Sequence, residues 1–123
     1  MIADSNLFIY VTQPDYGYLI DWFKQNTPIA SAITQVETLG YHRLQAEDQA
    51  LLVQLFGYLG CLYPTPETFT TAIELRRQRK MSLGDALIAA TALEHRLILA
   101  TRNVKDFEWI TGLTVVNPIR ETL

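Results

Sequence analysis

Cysteine, histidine, basic charge and long apolar runs are all scarce in this chain, and each shortage closes off a class of protein. Cys61 is the only cysteine, so no internal disulfide can form. Set among apolar residues, it predicts a reducing compartment, the cytoplasm. The two histidines, His42 and His95, each lack a second metal ligand at helical spacing and read as surface or boundary residues. No apolar run approaches the roughly 18 residues of a membrane span, and no charged stretch precedes an apolar one as in a leader, so no membrane partner is expected. Ten Lys and Arg against 13 Asp and Glu leave a net charge of −3, which excludes a generic polycationic nucleic-acid binder. Nucleic acid itself is not excluded, because an acidic site bridged to phosphate by divalent cations inverts the local charge. Internal repeats, low-complexity segments and linkers are also missing.

What is present is a chain of 123 residues, 49% hydrophobic and 19% charged, sized for one domain over 1–123 with a real core. Short apolar stretches alternate with helical patterns. Ile2-Ala3, Pro28 to Ile33, Cys61 to Tyr63, Leu97 to Ala100 and Leu113 to Val116 read as strands. Between them, Leu7 to Val11, capped by Ser5 or Asn6, reads as a helix, as do Tyr18 to Gln25 and Glu47 to Tyr58. Thr34-Gln35-Val36-Glu37 has a capping-box pattern opening a helix toward Arg43. Thr65-Pro66 is a cap followed by proline at the first helical position, with the helix running to Lys80. Ser82 caps a helix of small and branched apolar residues from Ala86 to Leu93, thin enough to lie tightly on a sheet. Such alternation predicts an α/β fold, a three-layer α/β/α sandwich around a mostly parallel sheet.

Four acids fall at the ends of these strands or the starts of the following helices: Asp4, Glu37, Asp85 and Asp106. In a parallel α/β sheet those positions share the carboxyl edge, so residues distant in sequence converge. Clustered carboxylates repel and call for a cation; hard oxygen donors without paired His or Cys suit Mg²⁺ or Mn²⁺. Singly, each acid has a plainer explanation. Glu37 and Asp85 each stand third after a Thr or Ser and could cap their own helices, Asp4 could cap the helix after it, and Asp106 could be a solvated loop charge. Together they argue for a site, because four independent caps have no reason to share one edge.

Asp4-Ser5-Asn6 resembles the D-T-N opening of the PIN-domain nucleases, with Ser replacing Thr. Ser82-Leu83-Gly84-Asp85-Ala86-Leu87-Ile88-Ala89-Ala90-Thr91-Ala92 is similar to the S-x-x-D-x-x-I-A-A-T-A helix of the VapC toxins. Leu99-Ala100-Thr101-Arg102-Asn103 with Asp106-Phe107, then Gly112-Leu113 and Asn117-Pro118, resembles that family's T-R-N-x-x-D-F, G-L and N-P ending. From Tyr16 to Tyr63 only Ser31-Ala32-Ile33-Thr34 with Glu37 matches. The resemblance implies a metal-dependent endoribonuclease, cytoplasmic, using Mg²⁺ or Mn²⁺. It also implies the toxin of a toxin–antitoxin pair, with RNA as substrate and a small antitoxin and a second copy of the chain as partners. It assigns Asp4, Glu37 and Asp85 as core acids. The family places its fourth acid where this chain has Asn103, so either Asn103 or Asp106 fills that role. Ser5, Asn6, Thr101, Arg102 and Asn103 are supporting residues, with Arg102 a candidate for phosphate contact or for neutralising the acids.

Three further readings belong with this one. The basic run Arg76, Arg77, Arg79 and Lys80 reads first as the last turn of a helix, where cations complement the dipole, and second as a means of steering RNA. The aromatic segment from Tyr10 to Phe23 is expected to contribute to a protein interface as well as to the core. The alternative functions are a PIN-like module weakened at its fourth acid that only binds RNA or a partner protein and, more distantly, a haloacid-dehalogenase-like phosphatase. The latter needs a second Asp two residues after the first and a Lys before the last acids, which Asn6 and Leu97-Ile98-Leu99 do not supply.

Overall fold

The structure, a computed structural model, describes residues 1–121. In chain order it comprises β1 (Ile2–Ala3), α1 (Ser5–Tyr10), α2 (Tyr18–Asn26), β2 (Ala30–Ser31), α3 (Ala32–Leu39), α4 (Ala46–Tyr58), β3 (Cys61–Leu62), α5 (Pro66–Gln78), α6 (Leu83–His95), β4 (Leu99–Ala100) and β5 (Val115–Val116). All strand pairs are parallel. Ile2 and Ala3 stand opposite Leu99 and Ala100, which in turn stand opposite Val115 and Val116. Ala30 and Ser31 pair with Cys61 and Leu62, and a bridge from Ile2 to Ile29 joins the two groups. The strands therefore run in the order β3-β2-β1-β4-β5. None of the described helices is long and apolar enough to cross a membrane.

Alternation along the two central strands sends neighbouring side chains to opposite faces. Ala3 and Ala100 join a core built with Leu7, Phe8, Leu19, Phe23, Leu52 and Phe56 from α1, α2 and α4. Ile2 and Leu99 join a second core built with Ala72 and Leu75 of α5, Ala86 to Ala90 and Ala92 of α6, and Phe107. Helices thus cover both faces, and the expected α/β/α sandwich is present.

Capping residues make two strands shorter than the apolar pattern predicts. The stretch 28–33 is extended only at Ala30 and Ser31, because the Ser31 hydroxyl accepts from Ile33 N at 3.1 Å and opens α3 there. Thr34 is therefore inside the helix and not its cap, and α3 ends at Leu39 rather than reaching Arg43. The stretch 97–100 loses its first half to the end of α6. Arg96 turns into the left-handed region at φ 54°, and Leu97 N bonds back to Ala92 O at 2.8 Å, a Schellman closure made without glycine. Likewise α1 is capped by Asp4, ahead of both Ser5 and Asn6.

Much of the aromatic segment is spent internally. Phe23 is fully buried and packs on Phe8. Tyr10 and Tyr16 pack on each other, while the guanidinium groups of Arg102 and Arg120 lie over the rings of Tyr10 and Tyr18.

Candidate active site

The strand order places the site. From β1 the chain adds β2 and β3 on one side, then returns to lay β4 against the other side of β1. Connections diverge at that point, leaving a crevice beyond the carboxyl ends of β1 and β4, the usual ligand position in open α/β sheets. Asp4 follows β1 and Thr101 follows β4, so both enter the crevice from its floor.

Asp4 is 6% exposed and held by both oxygens. Its Oδ1 accepts from Ser5 N and its Oδ2 from the Thr101 hydroxyl, each at 2.8 Å. Having donated its one proton to Asp4, the Thr101 oxygen accepts from Asn103 N at 3.0 Å and from Asn6 Nδ2 at 3.2 Å. That fixes the orientation of the Asn6 amide. Among the described residues its Oδ1 is buried without a hydrogen-bond partner. Burial pushes the Asp4 carboxyl from its ordinary 3.8 up to about 6, with the charges of Asp85 and Glu37 adding to the rise and the bonds from Thr101 and Ser5 opposing it.

Glu37 arrives from the second turn of α3. The Ser5 hydroxyl donates to its Oε1 at 2.8 Å and also lies 3.0 Å from Thr34 Oγ1. Its other oxygen rests against the first turn of α6. A Cβ on Gly84 would fall 2.7 Å from Glu37 Oε2, so this approach requires glycine. Glu37 thus makes no capping bond to Thr34; it spans from α1 to α6. Asp85, the next residue, gives its backbone N–H to the Ser82 hydroxyl at 3.1 Å. Burial raises its carboxyl above the usual range, helped by the charges of Asp106 and Glu37, with Ser82 pulling the other way. Asp4 thus feels the charges of Asp85 and Glu37, and Asp85 those of Asp106 and Glu37, although the outermost of these acids lie 102 residues apart in the chain.

These donors fit a hard divalent cation in their chemistry. They are oxygens throughout, their like charges oppose one another, and a buried amide oxygen of Asn6 is left without a partner. Among the described residues, no three acidic, His or Cys side chains stand close enough to hold one ion directly. One or two carboxylates completed by water, the ordinary arrangement for Mg²⁺, match that spacing.

Beside Asp85 the crevice opens into a cleft of about 600 Å³ lined by Arg76, Arg79, Lys80, Met81, Ser82, Asp85, Lys105, Asp106 and Trp109. The helix α5 ends at Gln78, so Arg79 and Lys80 lie beyond it and border the acids; only Arg76 and Arg77 occupy its last turn. Sequence reasoning put the dipole reading first for the whole run and gave no role to Gly84, Lys105 or Trp109. The signal that could have placed Arg79 and Lys80 was their nearness to the Ser82 cap. Arg102 is held on the other side. Its guanidinium donates to the Tyr10 hydroxyl and stands 3.4 Å from Glu121 Oε1, and neither partner is one of the four acids. Asn103 borders a neighbouring hollow with Asp106 rather than the cleft that holds Asp85.

A profile of the PIN domain matches residues 1–111. No curated protein matches the chain. Solved structures match along almost its full length. A toxin–antitoxin complex from Klebsiella pneumoniae contains a chain 26% identical, covering 98% of both chains with a TM-score of 0.75. DNA-bound VapBC from Salmonella typhimurium gives 21% identity over 94% of this chain and 96% of that one, with a TM-score of 0.80. VapBC2 from Rickettsia felis, bound to a fragment of its promoter DNA, gives 21% identity over 94% and 96%, with a TM-score of 0.76.

Proposed function

The chain belongs to the PIN-domain family, and from that premise we propose that it is a metal-dependent endoribonuclease acting as the toxin of a toxin–antitoxin pair. The observation that carries the reading is the convergence of acids from separate elements: Glu37 bonds Ser5 beside Asp4 and rests on Gly84 beside Asp85, and Asp85 shares its cleft with Asp106. Among the described residues no ion pair neutralises any of the four acids, a costly arrangement that hydrolysis of a phosphodiester would put to use. The likeness to a chain of a toxin–antitoxin complex over 98% of both lengths supports the toxin role and a small antitoxin as partner.

In this reading Asp4 and Asp85 would hold the ion, with Glu37 and Asp106 adding negative charge around it. When bound, a divalent ion supplies positive charge against the phosphate and lowers the pKa of water beside it. The chain's own groups do the rest. Thr101 and the Ser5 amide keep the Asp4 carboxylate in one orientation, and Ser5 does the same for Glu37. Asp106 supplies the fourth charge in place of Asn103, because its charge is felt at Asp85 and both line the same cleft. Asn103 serves instead through its backbone, by bonding Thr101.

Purified protein should cut RNA with Mg²⁺ or Mn²⁺, stop with EDTA, and leave 5′-phosphate and 3′-hydroxyl ends, since water rather than the ribose 2′-hydroxyl is the nucleophile. Asp85→Asn should abolish cutting and leave the fold intact, because Ser82 still caps α6 through a backbone N–H. Asp106→Asn should lower activity and raise the metal requirement. Cleavage that ignores EDTA, 2′,3′-cyclic phosphate ends, or full activity in Asp85→Asn would overturn the proposal.

A further inference from the structure

The cleft beside Asp85 holds more positive charge than a carboxylate site needs. Four of the chain's ten basic residues, Arg76, Arg79, Lys80 and Lys105, line it in a protein whose net charge is −3. Among the described residues none of the four makes an ion pair. Arg76 is anchored by its Nε to Met81 O at 3.2 Å, which braces the turn between α5 and α6 and leaves its terminal nitrogens free. The Trp109 indole donates to Asp106 O at 2.9 Å, so the ring is fixed to the segment that carries that acid. The Arg79 guanidinium lies 5.5 Å from the ring centre.

Cations flanking a clamped aromatic ring are what proteins use to hold single-stranded nucleic acid without reading its sequence, with phosphates on the cations and a base on the ring. Asp85 and Asp106, which share the cleft, repel phosphate and accept it only through a cation, so the acids and the basic residues divide the work. We propose that this cleft carries the single strand on one side of the phosphate that is cut. Arg76, Arg79, Lys80 and Lys105 take its phosphates, and one base stacks on Trp109 beside the Arg79 guanidinium. RNA as the occupant rests on the ribonuclease reading above.

The test is binding of a labelled ten-nucleotide single-stranded RNA of mixed sequence, followed by anisotropy in EDTA over a range of salt. Four phosphate contacts predict a slope of log affinity against log salt of about −3, from about −0.7 per contact on a single strand. Arg79→Ala and Lys80→Ala should each make the slope shallower by about 0.7, with unchanged melting, since both side chains are exposed. In a Trp22→Phe background, where Trp109 is the sole tryptophan, saturation with the RNA should quench its emission. Trp109→Ala should weaken binding by about five-fold or more, and Trp109→Phe should recover most of it, which separates stacking from a loss of fold. A slope unmoved by both charge removals, emission unmoved at saturation, or tighter binding of a duplex or an acidic peptide would overturn the inference. RNA bound with these signatures but never cut with Mg²⁺ would uphold it and remove the ribonuclease reading. RNA cut with a KM untouched by Arg79→Ala and Lys80→Ala would do the reverse.

Discussion

On one face of the sheet the central strands present Ala3, Ala30 and Ala100, and the helices that cover them contribute Phe8, Phe23 and Phe56. On the other face the strands present Ile2 and Leu99, and the covering helix α6 contributes Ala86, Ala89, Ala90 and Ala92. Each layer fills the same gap with the bulk placed on opposite sides of it. The aromatic face holds the larger rings, with Phe8 stacked on Phe56 at 4.7 Å and tilted against Phe23 at 4.8 Å between centroids. The alanine face lets the α6 backbone lie close to the strands, and α6 carries Gly84 and Asp85 at its first turn. Both faces are buried core, but only the alanine face carries Asp85 on its covering helix and so bears on the distance between Asp85 and the remaining acids.

Substitutions on the two faces should therefore part stability from activity. Phe8→Ala should cost about 3–5 kcal/mol, seen as a large fall in melting temperature, while the folded fraction keeps its specific activity. Ala89→Leu should overpack at a cost of roughly 1–3 kcal/mol and lower kcat out of proportion, because α6 moves away from the sheet with Asp85 on it. Equal ratios of activity loss to stability loss for the two variants would erase the distinction between the faces.

Proton binding at Asp4 sharpens the same contrast, since this acid lies at the meeting point of both faces. Its carboxyl is raised from 3.8 to about 6 in the fold, so between those values the native state holds a proton that the unfolded chain has lost. Linkage then requires Asp4's contribution to stability to fall as the pH rises through that window, by up to about 3 kcal/mol. Metal-free protein should thus melt later near pH 5 than near pH 7, and Asp4→Asn should flatten the difference. A bound cation favours the carboxylate, so added Mg²⁺ should move the Asp4 titration to lower pH and remove the stability difference between pH 5 and pH 7, which melting with and without the metal would read directly.

Gly84→Ala is the smallest perturbation. Alanine is the better helix former by up to about 1 kcal/mol, but its Cβ would meet the Glu37 carboxylate, a flexible end that can swing aside. Melting should change by less than about 1 kcal/mol while cleavage falls, as Glu37 leaves its seat on α6. An active Gly84→Ala enzyme would show that Glu37 needs no such seat.

Several of these features were legible in the chain alone. The Ser82 cap, the small residues after it and the buried Leu99-Ala100 pair stand where the pattern put them, because capping and apolar runs are local signals. Strand lengths were not legible. Ala32, Ile33 and Leu97 sit in apolar stretches but are taken by helix ends, and a run of apolar residues carries no mark of which hydrogen bonds its backbone will make. The plainer explanation of Asp4 proved compatible with a site, since the same carboxylate caps α1 and accepts from Thr101. For Glu37 the plainer explanation fails: Ser31 is the cap, and the acid bonds Ser5 from 32 residues away.

What the sequence by itself determined is the list of participants: the α/β alternation, the four acids at element ends, the hydroxyls beside them and the thin helix from Ala86 onward. Periodicity and capping act over a few residues, so they can be read from neighbours in the chain. What only the tertiary structure decided is which groups face one another. It turned Arg102 toward Tyr10 and Glu121, brought Arg79 and Lys80 beside Asp85, set Asp106 rather than Asn103 in the same cleft, and seated Glu37 on the bare Cα of Gly84. Those pairings depend on strand order and on how closely α6 can lie against the sheet, and both are settled by packing across the whole fold.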